Sequence, residues 1–331
     1  MIIIPYLVTN VSVLYMTDYI ILERIGYGSN FNRISIDKTC SVIKKECINQ
    51  YGKKKIEYEK GFYRFLIDNK INFKTPKIYS FQENGYTMEY CKNYEPLYTV
   101  FNKLNKNVQE SLIHRIKDNI NLLHSFHKKE VSKEEYYHHL SIEINDKLFN
   151  RFDAMHEIIE RFKFIKTVNG IKVMSFKDIV NTLNTCIYKL LQDKPENAFY
   201  FVPLHGDSQF NNILYNSTLD DFVFIDPRGY YGNSEIYGVP EYDFAKLLFA
   251  LSGYDEFDNR VINSLEIAND DIKINISFLD DDILNIHSLS ALLMYTIWLG
   301  NAECFIHKNQ EKGVYSYFIS LYLGTLFSKD I

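Results

Sequence analysis

Cysteine is sparse and scattered: Cys40, Cys47, Cys91, Cys186 and Cys304 are the five in 331 residues. Their spacing matches neither a disulfide framework nor a zinc site, so reduced thiols are expected. The pair His138-His139 likewise lacks a third donor at metal-site spacing. An excess of positive charge is missing too. Lys and Arg number 37 against 42 Asp and Glu, a formal net charge of −5, and the two signs are interspersed. No broad basic surface follows, which disfavours nucleic acid as a partner but leaves room for an anionic nucleotide at a local site. Uninterrupted apolar runs of spanning length are also lacking. The start, MIIIPYLVTNVSVLYMTDY, is broken by Pro5, Asn10 and Asp18 and carries neither a basic n-region nor a small-residue cleavage site. It is expected to pack as an extra strand or extension on the N-terminal lobe of a cytoplasmic protein with no membrane insertion. DILNIHSLSALLMYTIWLGNAECF, interrupted at His287-Ser288 with an exit near Gly300, and VYSYFISLYLGTLF read as buried helices, with Trp298 in the core. Internal repeats and low-complexity linkers are absent from the sequence.

What is present is an ordinary globular composition, 46% apolar and 24% charged, in a chain long enough for two lobes. The most informative stretch is HGDSQFNNILYN, 205–216, followed by FVFIDPRG with Asp226. An Asp, an Asn five residues on, and a second Asp closing an apolar strand suit phosphoryl transfer. One carboxylate can orient a hydroxyl, while an amide and a carboxylate hold Mg2+ against a nucleotide. HGD alone would read as a polar surface loop. Upstream, two β-rich runs flank Gly26-Tyr27-Gly28-Ser29-Asn30, a turn that could bring backbone N–H groups close to a phosphate or be a plain hairpin. In the next run, VIKK, strand alternation puts Val42 and Lys44 on one face and Ile43 and Lys45 on the other. KKKIEYEKGFYRFLIDNK reads as a helix with Ile56, Phe62, Phe65 and Leu66 inward. PKIYSFQENGYTMEYCKNY reads as two strands around Glu83-Asn84-Gly85. SLIHRIKDNINLLHSFHKK is an amphipathic helix on Leu112, Ile116, Ile120, Leu123 and Phe126. Helical patterns recur near 150–164 and 176–191.

With these residues in view, 205–226 resembles the catalytic loop and metal-binding Asp of the aminoglycoside phosphotransferase and choline kinase superfamily, itself similar to the protein-kinase fold. The continuation IDPRGYYGNSEIYGVPEYDFAKL resembles the kinase-like proteins of bacterial capsule and surface-polysaccharide loci. No nucleotidyltransferase-like Gly-rich start accompanies it. The resemblance implies an α+β, two-lobed protein-kinase-like fold. A β-rich nucleotide-binding lobe and interlobe link would span 1–91, and a mainly helical catalytic and acceptor-binding lobe 92–331.

It also implies roles. Gly26, Gly28 and Ser29 would cover the nucleotide, although Asn32-Arg33 stands where a third glycine would be. Val42 would roof the adenine, Leu214 floor it, and Glu89 to Cys91 offer it backbone groups. Lys44, with Lys45 as the alternative, would reach the phosphates as in a VAIK strand. Glu59, or Glu57, would pair with that lysine and fix its pose. Asp207 would orient the acceptor hydroxyl and take its proton. Asn212 and Asp226 would hold Mg2+. His205, His127 and Asp243 would be structural, Asp243 by anchoring the catalytic loop or by capping its helix. DPRG departs from the DFG-like form, and Arg228 would contact the transferred phosphoryl or an acidic acceptor, or else pair with Asp243 or Glu241. Residues 134–200 would shape the acceptor pocket. The expected activity is ATP- and Mg2+-dependent phosphorylation of a small-molecule hydroxyl, on a sugar, polyol or related surface-polysaccharide precursor. The alternatives are a choline, ethanolamine or aminoglycoside kinase, and a catalytically silent nucleotide-binding protein. A protein kinase is disfavoured, since no APE-like motif follows.

Overall fold

The computed structural model describes residues 15–16, 19–22, 31–260, 262, 264–274, 288–306 and 309–328. Gly26, Gly28, Ser29, His287 and, of the expected N-terminal extension over 1–19, residues 1–14 and 17–18 lie outside them. The chain has a two-lobed α+β architecture, β-rich towards the N-terminus and mainly helical towards the C-terminus. By compactness it divides into two units, Met1–Lys128 with Val202–Gly238, and Lys129–Phe201 with Val239–Ile331.

In the first unit a six-stranded antiparallel sheet runs β1 (Tyr15–Met16), β2 (Tyr19–Leu22), β3 (Asn32–Asp37), β4 (Val42–Cys47), β6 (Gly85–Glu89), β5 (Ile78–Gln82) across its width. The turn between β3 and β4 is organised by Asp37. Its carboxylate accepts from the backbone N–H groups of Ser41 and Val42, each at 2.7 Å, and from the Thr39 hydroxyl. Residues facing each other across the ladder share a face. Lys45 sits opposite Ile34 and Tyr86, and Ile43 opposite Ile36 and Met88. All six are buried, against helix α1 (Gln50–Asp68). Asn49 starts α1 by accepting the Gly52 N–H, and Ile56, Glu59, Phe62, Tyr63 and Leu66 form its buried stripe. A second helix, α2 (Lys106–Ser125), buries Leu112, Ile116, Ile120 and Leu123 as its periodicity requires. Phe126 does not join them. It stands just past the helix, 44% exposed, with its ring edge-on to Phe65.

Two hairpins complete this unit. Ile213–Asn216 pairs with Asp221–Phe224, and Leu214 also lies opposite Pro96. Tyr230–Tyr231 pairs with Ser234–Glu235.

The second unit is chiefly helical. Leu289–Ile306 is apolar all round and packs against Glu241–Leu251 and Gln310–Ser328. Among the described residues it is the one helix long and apolar enough to cross a membrane, yet most of it is buried. Trp298 lies at its centre, fully buried against Phe249 and Tyr254, and donates its indole N–H to Ser252 Oγ at 2.8 Å. Asp243 is fully buried in the first turn of Glu241–Leu251, whose cap position is taken by Pro240.

Candidate active site

The centre of the site is a buried lysine held between two carboxylates. Lys45 Nζ lies 2.7 Å from Glu59 Oε2 and 3.1 Å from Asp226 Oδ1, with the Lys45 and Glu59 side chains 4% and 9% exposed. Burial opposes the Lys45 charge, but the carboxylates of Asp226 and Glu59 outweigh it and hold the ammonium above its ordinary range. On Glu59, burial pushes the carboxyl up while Lys45 pulls it down. Tyr86 donates its hydroxyl to the same Glu59 oxygen at 2.7 Å. Burial, with the Glu59 charge beside it, raises the Tyr86 phenol well above its usual range, so Tyr86 stays a donor. Removing this hydroxyl leaves a buried carboxylate one donor short. Tyr86→Phe should therefore lower the unfolding free energy by about 1–3 kcal/mol in urea titration. An unchanged midpoint would mean that the hydroxyl does not hold Glu59.

This geometry corrects the assignment of Lys44 to the pair with Glu59. Lys44 lies on the opposite face of β4, beside Ser35 and Thr87, where it pairs with Glu46 at 2.8 Å and rests 5.7 Å from the Tyr19 ring. The cause is strand parity: α1 covers the face carrying Ile43 and Lys45. Val42 goes with Lys44, so the residue on the paired lysine's face is Ile43. Glu57 turns away from the cluster to pair with Lys60 at 2.7 Å.

Asp226 ends the hairpin Ile213–Asn216/Asp221–Phe224 in a left-handed conformation, φ 55°. A non-glycine residue there carries roughly 1–3 kcal/mol of strain, and such strain persists only where surrounding contacts over-determine it. Here the contacts come from the loop that begins at His205. Ile225 N–H donates to Asn212 O at 2.9 Å, and Arg228 N–H to His205 O at 2.8 Å, one bond on either side of Asp226. The buried His205 ring completes the frame. Its Nδ1 accepts the Asp207 N–H at 3.4 Å, which leaves Nε2–H to donate to Ile225 O at 3.1 Å. Phe62, Phe73 and Phe224 enclose the ring. Gly206 is needed where it is: its φ is +77°, and a Cβ would lie 2.8 Å from Arg228 Cβ.

Within the loop, Asn212 folds its amide back onto Asp207. Nδ2 donates to the Asp207 carboxylate at 2.8 Å and to its carbonyl at 3.0 Å. The two residues five apart are thus one hydrogen-bonded unit, with the amide oxygen of Asn212 directed away from it. Arg228 extends over the Tyr230 ring, guanidinium carbon 4.2 Å from the centroid. Glu241, offered from sequence as a partner for Arg228, is engaged by Lys194 at 3.0 Å and by the Tyr136 hydroxyl at 2.7 Å.

The residues expected around the adenine are placed as follows. Leu214 is half-buried on Ile213–Asn216. At the end of β6 the Glu89 and Tyr90 N–H groups donate to Lys77 O and Ser41 O. The Cys91 N–H has no acceptor among the described residues, and its carbonyl accepts from Tyr94. Burial, aided by the charges of Glu89 and Asp221, pushes the Cys91 thiol up to about 12. His127 lies edge-on to Tyr237 at 5.6 Å. Sequence reading missed Tyr86 and Tyr230, and the only signal for Tyr86 was its place opposite the second of two lysines.

No protein-family model and no curated protein matches the chain. Solved structures do. The ADP-bound aminoglycoside phosphotransferase APH(2'')-Ib superposes with a TM-score of 0.54 at 12% identity, over 95% of each chain. The GDP and kanamycin complex of APH(2")-IIia gives a TM-score of 0.50 at 12% identity, covering 96% of this chain and 93% of that one. Choline kinase LicA from Streptococcus pneumoniae gives 0.46 at 14% identity, over 94% of each. The chain thus shares the two-lobed, protein-kinase-like fold of these aminoglycoside phosphotransferase structures.

Proposed function

We propose that the chain transfers the γ-phosphoryl group of ATP to a hydroxyl of a small molecule. The observation that carries this reading is the union of two devices in one compact unit: the Lys45–Glu59–Asp226 cluster and the Asp207–Asn212 pair, stitched together by backbone bonds through Asn212, Ile225, His205 and Arg228. A buried ammonium fixed by Glu59 can bind phosphate oxygens without being reoriented. Asp207, held in place by the Asn212 amide, can orient a hydroxyl with its carboxylate.

The residues present fit Mg2+. Among the described residues no group of three or more His, Cys, Asp and Glu could hold a metal by itself. Mg2+ bound for phosphoryl transfer asks less, one or two protein oxygens plus nucleotide phosphates. The Asp226 carboxylate and the outward amide oxygen of Asn212 supply these, and the bound ion would neutralise charge on the transferring group. For the base, the Cys91 N–H is a ready donor in the link. By strand face, Ile43 would take the part expected of Val42, while the part of Leu214 remains that implied by sequence. The roles of Gly26, Gly28 and Ser29 remain those implied by sequence.

For the acceptor, the two superpositions with the highest TM-scores given above are on aminoglycoside phosphotransferases, which puts amino-sugar alcohols first, with choline and ethanolamine beside them. The IDPRG continuation, with its resemblance to capsule-locus kinases, supports a sugar or polyol as the second class. Labelled ATP and GTP offered with all these acceptors test the reading. Transfer to any one supports it. A folded protein that binds Mg-ATP and phosphorylates none is a silent nucleotide-binding protein instead.

Arg228 is assigned to the acceptor side of the reaction. Arg228→Ala should lower kcat/KM for the acceptor roughly tenfold or more, the scale of a charge-assisted contact, with Mg-ATP affinity and Tm little changed. Normal kinetics would leave Arg228 with a structural role.

A further inference from the structure

Away from the Lys45 cluster, the first two turns of α1 and the hairpin Tyr230–Tyr231/Ser234–Glu235 enclose an open cavity of about 310 Å³. That volume lies within the range of small-molecule sites. None of Lys45, Glu59, Asp207, Asn212 or Asp226 lines it. Three of its walls are tyrosine rings, Tyr51, Tyr58 and Tyr230, with Tyr58 and Tyr230 in contact at 4.7 Å between centroids. Two lysines stand among them. Lys55 Nζ donates to the Tyr230 hydroxyl at 3.0 Å and lies 4.9 Å from that ring and 5.6 Å from Tyr51, while Lys54 Nζ lies 5.8 Å from Tyr58.

Among the described residues neither lysine has a carboxylate partner, although Glu235 lines the same cavity. Elsewhere in this unit, Lys53 and Lys60 of the same helix are both paired, with Glu83 and Glu57. Two ammonium groups lining one cavity favour an anion able to accept from both, and a phosphate monoester offers three oxygens to do so. The rest of the lining suits what such a phosphate would be attached to. The half-exposed ring of Tyr51 offers a flat surface to the C–H face of a sugar ring, and Asn233, Ser234 and Glu235 offer donors and acceptors for its hydroxyls.

We infer that this cavity is a second ligand site, for a phosphorylated sugar, with Lys54 and Lys55 taking the phosphate and Tyr51 the ring. The site spans two segments that carry the Lys45 cluster: Tyr58 precedes Glu59, and Tyr230 follows Asp226 by four residues. Between them Gly229, φ +69°, presses so closely on the Tyr58 carbonyl that a Cβ would lie 2.2 Å from its oxygen. Binding at this site is independent of whether the Lys45 cluster turns over ATP.

The test is calorimetry on the full chain at low ionic strength, with glucose 6-phosphate as probe and glucose and inorganic phosphate as controls. Glucose 6-phosphate should bind with Kd below about 1 mM, glucose should give no heat, and inorganic phosphate should bind roughly tenfold more weakly. The double substitution Lys54→Gln/Lys55→Gln should weaken the sugar phosphate roughly tenfold or more, with Mg-ATP affinity and Tm unchanged. Absence of binding, equal affinity for inorganic phosphate, or an undiminished affinity in the double variant would overturn the inference. So would displacement of the probe by Mg-ATP, which would assign the heat to the Lys45 site.

Discussion

Lys45→Ala should cost the protein roughly a hundredfold in Mg-ATP affinity, whereas Lys44→Ala should leave that affinity within about twofold. Both lysines are adjacent on one strand, so composition, net charge and local propensity change equally in the two variants. What differs is the face. Lys45 is buried between Glu59 and Asp226, while Lys44 is part-exposed and paired with Glu46. A buried ammonium held by two carboxylates is a preorganised phosphate donor; a half-exposed one is screened by solvent and salt. The variant carries a second effect that must be separated from the first. Removing Lys45 strands Glu59, and an uncompensated buried charge destabilises by about 3–5 kcal/mol. The double variant Lys45→Met/Glu59→Gln removes both charges, and Tyr86 can still donate to the amide oxygen. It should regain most of the lost Tm without regaining nucleotide affinity. If the double variant bound Mg-ATP normally, or if Lys44→Ala were the damaging change, the site would be centred on the wrong residue.

The two lysines also show where the sequence stops being legible. Alternation in VIKK separates them onto opposite faces but does not say which face α1 covers. That is decided by Glu59, Tyr63 and Tyr86, which come from a helix and from a strand 27 residues beyond Glu59. Glu59 was named only through the family resemblance, with Glu57 as its alternative, since a carboxylate on a helix is ordinarily solvent-exposed. Tyr86 was not named, since a tyrosine in a strand is ordinary until its hydroxyl meets a buried carboxylate. The loop 205–212 and the turn through Asp226 were the most legible part, because their information lies in short spacings: five residues bring the Asn212 amide onto Asp207. The left-handed backbone of Asp226 and the bonds on either side of it depend on the loop and hairpin together, and no local pattern marks them. Arg228 marks another limit: its contact with the Tyr230 ring two residues on follows from the turn after Asp226, which no local pattern marks. Phe126 fits a helical period that ends one residue too soon to bury it.

Asp207→Asn should abolish most phosphoryl transfer while leaving nucleotide binding intact. The expected fall in turnover is roughly 10²–10⁴-fold, the scale of general acid–base assistance. The geometry makes this a clean substitution. Asp207 is held by its backbone N–H on His205 Nδ1 and by the Asn212 amide on its carbonyl and one carboxylate oxygen. A side-chain amide of the same shape can still accept from Asn212 through its oxygen, so the loop and Asp226 should keep their places. Lost are the negative charge and the site that takes the hydroxyl proton as the new P–O bond forms. A carboxylate is a weak base, so most of the effect should be in orienting the nucleophile, with proton uptake late. The loss should then appear in kcat for the acceptor, with Mg-ATP affinity within about twofold of the parent. Single-turnover transfer from labelled ATP to whichever alcohol the acceptor screen identifies, with calorimetry on the same preparation, reads both quantities. Full transfer by the Asp207→Asn protein would remove Asp207 from the chemistry. A parallel loss of Mg-ATP affinity would instead mean that Asp207 acts through Asn212 and the nucleotide site rather than on the incoming hydroxyl.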